Sequence, residues 1–248
     1  MRKSIICFSV LGITLMNAQT KIIAHRGYFQ SQPPTTENSL KSLENAQHLK
    51  VYGSEFDVRM TKDGVLVINH DEHHGEMLIA DTEYKILKRV KLSNGEKLPT
   101  LKRYLKQGRR DTAVQLIAEL KPAKTKELED ELTSKAVAMI KKMKVDQQSE
   151  FISFSLNICK EIKRLEPQFK VQYLNGDLSP SQIKAEGLDG MDYHYNVFAK
   201  NPSWIEEAKS LGLITNAWTV NDMNVYEQLK VKGINFVTTN IPNILKGQ

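Results

Sequence analysis

Cysteine is scarce in this chain, with two in 248 residues. Cys7 falls in an apolar N-terminal stretch, so removal of that stretch would leave Cys159 alone and exclude an internal disulfide. The sequence also lacks a Gly-x-Ser-x-Gly nucleophile motif, a His-Glu-x-x-His zinc pair and a glycine-rich phosphate loop after any predicted strand. These absences argue against a serine hydrolase, a zinc peptidase and a dinucleotide-binding sheet.

No apolar run in the sequence is long enough to span a bilayer, so stable membrane insertion is not expected. The apolar stretch at residues 4–15 follows Arg2 and Lys3 and precedes a cleavage site after Ala18, which predicts a signal peptide over residues 1–18. Export without disulfides favours a bacterial periplasm or exterior. The remaining residues, 19–248, are predicted to form one domain.

The excess of positive charge is small. Loss of Arg2 and Lys3 with the leader would lower the formal net charge from +6 to +4. A mild positive excess suits an anionic small substrate or a lipid headgroup surface. The densest basic segment, residues 102–110, is typical of one face of a short helix, so the sequence does not predict a nucleic-acid binder.

Short apolar runs alternate with helical patterns along most of the chain, which predicts a parallel sheet with helices outside it. The predicted strands cover residues 21–24, 54–58, 65–69, 114–120, 151–154, 171–174, 190–193, 215–218 and 236–238. The run at 65–69 follows a Lys-Asp-Gly turn and is interpreted as the return arm of a hairpin. Eight parallel strands remain, which fit a closed (β/α)8 barrel. An open doubly wound sheet is the alternative.

Residues 72–97 are the one long stretch without a clear pattern. The stretch contains His73, His74 and an Asn94-Gly95 pair. We expect it to be an insertion at the barrel mouth, acting as a loop or lid and not as a separate domain.

Two acids stand out in the second predicted strand. Glu55 and Asp57 alternate with Phe56 and Val58, so both carboxylates point to one face. Two acids facing the barrel interior would be costly unless neutralised, and a divalent cation is the natural partner. Ligand sets made only of oxygen favour Ca²⁺ or Mg²⁺. The alternative is a solvated edge strand whose acids point outward.

A third acid, Glu119, lies inside the apolar run at residues 116–120, where a lone carboxylate would be buried at high cost. This position favours the metal interpretation, and we predict Glu119 as the third protein ligand. Lys121 follows two residues later and faces the same way. Its ammonium group can pair with the carboxylate or hold a phosphate oxygen.

The remaining candidates lie at or near strand ends, where barrels of this type build their sites. Arg26 offers a bidentate fork for phosphate and could also pair with Glu37, which would then orient it. His25 and His70 have side chains suited to proton transfer near neutral pH. Trp218 packs in the core or forms a pocket wall.

At these residues the chain resembles the glycerophosphodiester phosphodiesterase family. The first matching pieces are His25-Arg26-Gly27, Glu37-Asn38-Ser39, Glu55-Phe56-Asp57-Val58 and Thr61-Lys62-Asp63-Gly64 through His70-Asp71. Further pieces are Leu98-Pro99-Thr100-Leu101, Ala118-Glu119-Leu120-Lys121, Ala217-Trp218-Thr219-Val220-Asn221 and Val237-Thr238-Thr239-Asn240. The match runs in order over essentially the whole chain after the leader. Asn240 is a departure, because the family usually has aspartate there.

The resemblance implies an irregular (β/α)8 TIM barrel of the phospholipase C-like phosphodiesterase type, with a short insertion after the second catalytic histidine. It implies one bound divalent cation, Ca²⁺ or Mg²⁺. By motif position it makes His25 and His70 the acid–base pair and Arg26 a phosphate contact. The implied metal ligands are Glu55, Asp57 and Glu119, and the implied pocket residues are Lys121 and Trp218.

The expected activity is metal-dependent hydrolysis of small glycerophosphodiesters to glycerol 3-phosphate and an alcohol. A phospholipase D-like activity on lysophospholipids or sphingolipids is the neighbouring alternative, and it would need an apolar groove for an acyl chain. A catalytically silent binding barrel is a third interpretation. The residues leave open the headgroup, the cation, which histidine acts first as acid, the attacking group (water or the glycerol 2-hydroxyl) and the oligomeric state.

Overall fold

The computed structural model describes residues 19–247. The predicted signal peptide, residues 1–18, lies outside the described residues. Within the described range, none of the helices combines the length and the apolar character needed to cross a membrane.

Strands and helices alternate along the described chain. The strands are β1 (Lys21–Ala24), β2 (Gly53–Met60), β3 (Leu66–Ile68), β4 (His73–His74), β5 (Met77–Leu78), β6 (Gln115–Leu120), β7 (Ser149–Ser153), β8 (Val171–Tyr173), β9 (Gly190–His194), β10 (Ile214–Trp218) and β11 (Phe236–Thr239). The α-helices are α1 (Leu40–Leu49), α2 (Tyr84–Leu87), α3 (Leu101–Gly108), α4 (Lys126–Met143), α5 (Leu156–Leu165), α6 (Pro180–Ala185), α7 (Tyr195–Lys200), α8 (Trp204–Ser210), α9 (Met223–Val231) and α10 (Pro242–Lys246). Short 3₁₀ turns cover Ile79–Asp81 and Asp146–Gln148.

Eight parallel strands close into a barrel, so the predicted fold class is confirmed. The order around the barrel is β1, β11, β10, β9, β8, β7, β6 and β2, and pairing of β1 with β2 closes the ring. β3 adds to β2 in antiparallel fashion, as the predicted hairpin requires. The predicted strands agree with the observed ones to within two residues at each end.

Side chains alternate between the two faces of each barrel strand. In β2, Phe56 and Val58 are fully buried against the surrounding helices, while Glu55 and Asp57 belong to the opposite face. A small apolar cluster inside the barrel includes Ile23, Ile117, Ile152, Leu174 and Phe236. The inward-facing acids of β2 and β6 lie toward the carboxyl ends of their strands, next to this cluster.

The first helix begins later than the sequence suggested. The pattern predicted a helix over residues 38–49, but Asn38 has a φ of 54° and the helix begins at Leu40. Ser39 is the N-cap, and its hydroxyl accepts from the backbone N–H of Ser42 in a reciprocal capping box. The left-handed conformation of Asn38 ends the preceding loop and aims its amide toward β2.

The insertion at residues 72–97 contains the β4–β5 hairpin and the short helix α2. Beneath it, Ile79, Leu87 and Leu98 form a separate apolar cluster with Val67 of β3. Its far end crosses to α1, where the Glu96 carboxylate accepts from the first backbone N–H groups of that helix at 2.9 and 3.1 Å. The insertion is thus tied to both neighbours by packing and by hydrogen bonds.

We predict that Phe56→Ala lowers the free energy of unfolding by about 3–5 kcal/mol, the usual effect of emptying a fully buried phenylalanine site. Phe56 is fully buried, and its ring centroid lies 4.4 Å from that of Tyr104. Urea denaturation measures the loss. Val231→Ala is the control, because Val231 is 83% exposed and its truncation should change stability by less than about 0.5 kcal/mol. Equal effects of the two substitutions would contradict the packing described.

Candidate active site

Most of the predicted site residues line one cavity at the carboxyl ends of the barrel strands. The cavity has a volume of about 240 Å³. Its walls include His25, Arg26, Glu55, His70, Glu119, Lys121 and Trp218. The other two predicted residues lie behind this wall: Asp57 is buried beside Glu119, and Glu37 contacts Arg26. A larger groove of about 340 Å³ lies alongside and shares Lys121, but it is not lined by the histidines or by the three predicted acidic ligands.

The three predicted metal ligands converge. Asp57 and Glu119 are register partners on β2 and β6, and Glu55 precedes Asp57 on the same face. One oxygen from each of the three carboxylates lies within 4.8 Å of the other two, and all three residues are buried. The interpretation of Glu55 and Asp57 as outward-facing acids on a solvated edge strand is therefore wrong, because β2 is an interior barrel strand.

Ionisation of all three carboxylates of this acidic triad is unfavourable without a cation. Burial, with the charges of Asp57 and Glu119, raises the pKa of Glu55 well above its ordinary value. Burial and Asp57 also raise the pKa of Glu119 to about 7. Within residues 19–247, Oε1 of Glu55 is buried with no hydrogen-bond partner. Three buried carboxylates that offer hard oxygen donors, two of which have raised pKa values, fit a divalent cation well.

Lys121 supplies the positive charge inside the triad. Its Nζ lies 2.7 Å from Oδ1 of Asp57 and 2.6 Å from Oε1 of Glu119. Burial works against ionisation of Asp57, but the Lys121 ammonium outweighs it and holds the pKa of Asp57 at about 2. The same two carboxylates outweigh burial at the lysine and raise its pKa. Lys121 is therefore charged and lies next to the predicted metal ligands.

A tight turn after β1 carries Arg26 to the cavity. Arg26 has a φ of 55° and Gly27 a φ of 77°, both in the left-handed region. A Cβ at Gly27 would meet Oγ of Ser42 at 2.4 Å, so only glycine allows α1 to approach this closely. The Arg26 backbone N–H donates to Oε2 of Glu55 at 2.7 Å, which links the turn to the triad.

The Arg26 guanidinium is held from two sides. Its Nη1 donates to Oε1 of Glu37 at 2.8 Å, the contact that the sequence suggested. Its Nε lies 3.7 Å from Oδ2 of Asp57. Asn38 forms two hydrogen bonds with Asp57. Its Nδ2 donates to Oδ2 of Asp57 at 2.7 Å, and its Oδ1 accepts from the Asp57 backbone N–H at 3.1 Å. Arg26 also lines the cavity, so its guanidinium can bring positive charge to an anion bound there.

His25 follows β1 and lies beside the triad. Its Nδ1 is 2.7 Å from Oδ1 of Asn240. An amide oxygen can only accept, so Nδ1 carries the proton and Nε2, 4.0 Å from Glu55, carries the lone pair. Burial and the positive charge of Arg26 lower the pKa of His25 to about 4, so the imidazole is neutral near pH 7. A neutral imidazole with a free Nε2 can accept a proton.

His70 lies across the cavity in a more exposed position. Its Nδ1 lies 2.8 Å from Oδ1 of Asp71, and that carboxylate accepts from it. Arg59 fixes the loop by donating from Nε and Nη2 to the backbone carbonyl of His70, at 2.9 and 2.8 Å. The two histidines therefore face one cavity, each held through Nδ1.

The side of the cavity away from the histidines is largely apolar. Trp218 lies at the end of β10, with its indole N–H donating to the backbone carbonyl of Asp192 at 2.8 Å. The ring of Phe154 packs edge-on against it at a centroid distance of 5.6 Å. Leu174 completes this wall. Trp218 thus contributes to the pocket wall.

Several residues of the site were given no role in the predictions made from the sequence. Asn38 belongs to the quoted Glu37-Asn38-Ser39 motif, and Asn240 was noticed only as a departure from the family pattern. Arg59 continues the alternation of Glu55 and Asp57, a signal that could have identified it. Asp192 is an acid inside a buried strand, which is the same signal that identified Glu119.

Comparison with known proteins gives consistent matches. The model of the glycerophosphoryl diester phosphodiesterase family matches residues 25–244. A glycerophosphodiester phosphodiesterase of Caldanaerobacter subterraneus subsp. tengcongensis is 27% identical over 244 residues, covering 92% of this chain and 96% of that protein. A crystal structure of a glycerophosphodiester phosphodiesterase from Parabacteroides distasonis superimposes with a TM-score of 0.91 at 43% identity, covering 93% of this chain and 96% of that one.

A second similar structure is that of an Oleispira antarctica phosphodiesterase, in complex with the product sn-glycerol-3-phosphate. It is 24% identical to this chain, with a TM-score of 0.79, and the match covers 92% of this chain and 96% of that one. At this identity the likeness shows the shared fold.

We predict that His25 in the metal-free protein titrates near pH 4 and not near 6.5. The unfolded chain binds this proton below about pH 6.5, whereas the folded chain binds it only below about pH 4. The free energy of unfolding therefore falls as the pH decreases from about 6.5 to about 4. NMR titration of the imidazole measures the pKa. Unfolding free energies of wild type and His25→Gln at pH 4 and 7 measure the linkage, which should be smaller in the variant. An imidazole that titrates near 6.5 would contradict the described environment.

Proposed function

The chain belongs to the glycerophosphoryl diester phosphodiesterase family, and we propose that it hydrolyses glycerophosphodiesters to glycerol 3-phosphate and an alcohol with one bound divalent cation. The similar proteins from Caldanaerobacter and Parabacteroides are glycerophosphodiester phosphodiesterases, and the Oleispira phosphodiesterase was solved with sn-glycerol-3-phosphate. These names support the reaction class. The details of the mechanism rest on the residues of this chain.

One observation carries the proposal. Three buried carboxylates with oxygens within 4.8 Å of one another share a cavity wall with two histidines, an arginine and a lysine. A purely structural barrel would gain nothing from so many buried charges at one end, because burial of unpaired charge is costly. A reaction on a phosphodiester needs this set, since negative charge must be bound and a proton must be moved.

Glu55, Asp57 and Glu119 would hold the cation, either Ca²⁺ or Mg²⁺, because all three offer only hard oxygen donors. When bound, the cation supplies Lewis-acid charge for phosphoryl oxygens. Its binding would also favour ionisation of Glu55 and Glu119, whose pKa values burial raises. The protein alone thus leaves part of the negative charge of the triad unpaired, and the cation would balance it.

Arg26 and Lys121 provide the protein's own positive charge for the substrate phosphate. Arg26 offers its remaining guanidinium N–H groups, while Glu37 holds the group in place. Lys121 lines the same cavity and adds a point charge next to Asp57 and Glu119. Both side chains stabilise charge that grows on the phosphoryl oxygens during bond cleavage.

His25 and His70 move the protons. One imidazole accepts the proton of the attacking hydroxyl, the bond between phosphorus and the alcohol oxygen breaks, and the other imidazole protonates the departing alcohol. The neutral state of His25 near pH 7, with its lone pair on Nε2, suits the role of base first. The attacker is either water or the glycerol 2-hydroxyl, which would give a cyclic phosphate that water then opens.

We predict that the purified protein releases glycerol 3-phosphate from a panel of glycerophosphodiesters and that EDTA abolishes this release. Added Ca²⁺ or Mg²⁺ should restore it, because Lys121 pairs with only two of the three buried carboxylates and a cation would neutralise the remaining charge. A coupled assay for glycerol 3-phosphate measures the rate. Release of choline from lysophosphatidylcholine, measured separately because that reaction leaves an acylated glycerol 3-phosphate, would favour the phospholipase D-like alternative. No turnover of any diester would favour a silent barrel, and turnover unaffected by EDTA would contradict the role of the triad.

We predict that His25→Ala and His70→Ala each lower kcat by about 10²- to 10⁴-fold, the usual contribution of a positioned acid or base. His48→Ala is the matched control, because His48 is exposed on α1 outside the cavity, and its rate should equal that of the wild type. Thermal unfolding of all three variants shows whether the fold is retained. Wild-type rates in either cavity variant would refute the acid–base assignment.

A further inference from the structure

Asp192 is an acid that the mechanism above does not use. It lies in the middle of β9, is 1% exposed, and lines the same cavity as His25, Glu55 and Glu119. Within residues 19–247, Oδ1 of Asp192 has no hydrogen-bond partner. A carboxyl oxygen that is buried without a hydrogen-bond partner is costly unless a ligand or a water molecule binds to it.

Asp192 is separate from the acidic triad. The cluster of carboxylates close enough to share a cation contains Glu55, Asp57 and Glu119 and, among the described residues, does not include Asp192. Burial raises the pKa of Asp192 well above the ordinary range, and the charge of Glu119 raises it further; a hydrogen bond with Asn216 only partly offsets this. Outside the cluster that could share a cation, the Asp192 carboxyl group is available for hydrogen bonding to a ligand.

Asp192 shares the cavity lining with several apolar side chains. Phe154, Leu174 and Trp218 line the same cavity, and the Trp218 indole N–H donates to the Asp192 backbone carbonyl. A substrate group that enters this part of the cavity must pack carbon atoms against two aromatic rings. Any hydroxyl on that group would lose its water and would need a polar partner.

We propose that the Asp192 carboxyl binds the terminal hydroxyl of the glycerol unit and makes the enzyme selective for diesters that carry it. This inference rests on the proposed function. The phosphate must lie near Arg26, Lys121 and the triad, and the 2-hydroxyl is attached next to the phosphoester carbon. The terminal hydroxyl is one carbon further on, so it can extend along the wall formed by Trp218 to the free oxygen of Asp192.

The first test needs only the wild-type protein. Its substrates are glycerophosphocholine and the phosphocholine diester of propane-1,2-diol, which keeps the hydroxyl next to the ester and lacks the terminal one. We expect kcat/KM to be about ten- to a hundredfold higher for glycerophosphocholine, because a site built to bind a hydroxyl discriminates against an analogue that lacks it. Equal kcat/KM values for the two diesters would overturn the proposal.

The second test pairs two substitutions at the same position. Asp192→Val removes both hydrogen-bonding oxygens, so it should lower kcat/KM for glycerophosphocholine to within about threefold of the value for the propanediol diester, whose rate should stay near that of the wild type. Asp192→Asn keeps a donor and an acceptor and should restore most of the preference. An equal loss on both diesters in Asp192→Val, or no rescue by asparagine, would indicate a structural or metal-binding role and overturn the proposal.

Thr215→Val is the matched control. Thr215 is equally buried and lies on the neighbouring strand β10, but it does not line the cavity, and its hydroxyl bonds to Asn235. Its preference between the two diesters should equal that of the wild type. A wild-type protein inactive on both diesters with either cation would refute the proposed function and this inference together. An active wild type without a preference would refute the inference alone.

Discussion

Repulsion between buried carboxylates is the constraint on which the rest of the site depends. Closure of the barrel brings Glu55, Asp57 and Glu119 to one point, because β2 and β6 are hydrogen-bonded neighbours in a fixed register. Such a cluster is unstable without positive charge. Lys121 supplies part of that charge and Arg26 supplies more at the rim, and a cation would supply the remainder. In the reaction that we propose, the same positive charges would bind an anionic substrate.

The surrounding fold holds this arrangement through short hydrogen-bonded links. The backbone of Arg26 is bonded to Glu55, the amide of Asn38 grips Asp57, and the close approach of α1 at Gly27 fixes the turn that carries the arginine. Arg59 holds the loop that carries His70. Strands thus place the acids, while the loops that follow the strands place the groups of opposite charge and the imidazoles.

Local patterns in the sequence were sufficient to predict the barrel fold and the three acids of the triad. Alternation in β2 and a lone acid in the apolar run of β6 determine which side chains face inward, and strand pairing then brings them together. The contact of Asn240 with His25 could not be predicted in this way, because 215 positions separate the two residues and only closure of the ring joins β11 to β1. Asp192 could have been predicted from the sequence, because it is also an acid inside a buried strand, which is the criterion that identified Glu119.

The insertion at residues 72–97 has a second effect on this architecture. Glu96 at its far end caps the first turn of α1, and α1 in turn packs on the Gly27 turn beside the cavity. Shortening of this segment would remove an anionic cap from α1 and would weaken the support of the turn that carries Arg26. The length of this insertion and the position of the Arg26 turn are therefore coupled, and a shorter insertion would need a replacement cap for α1.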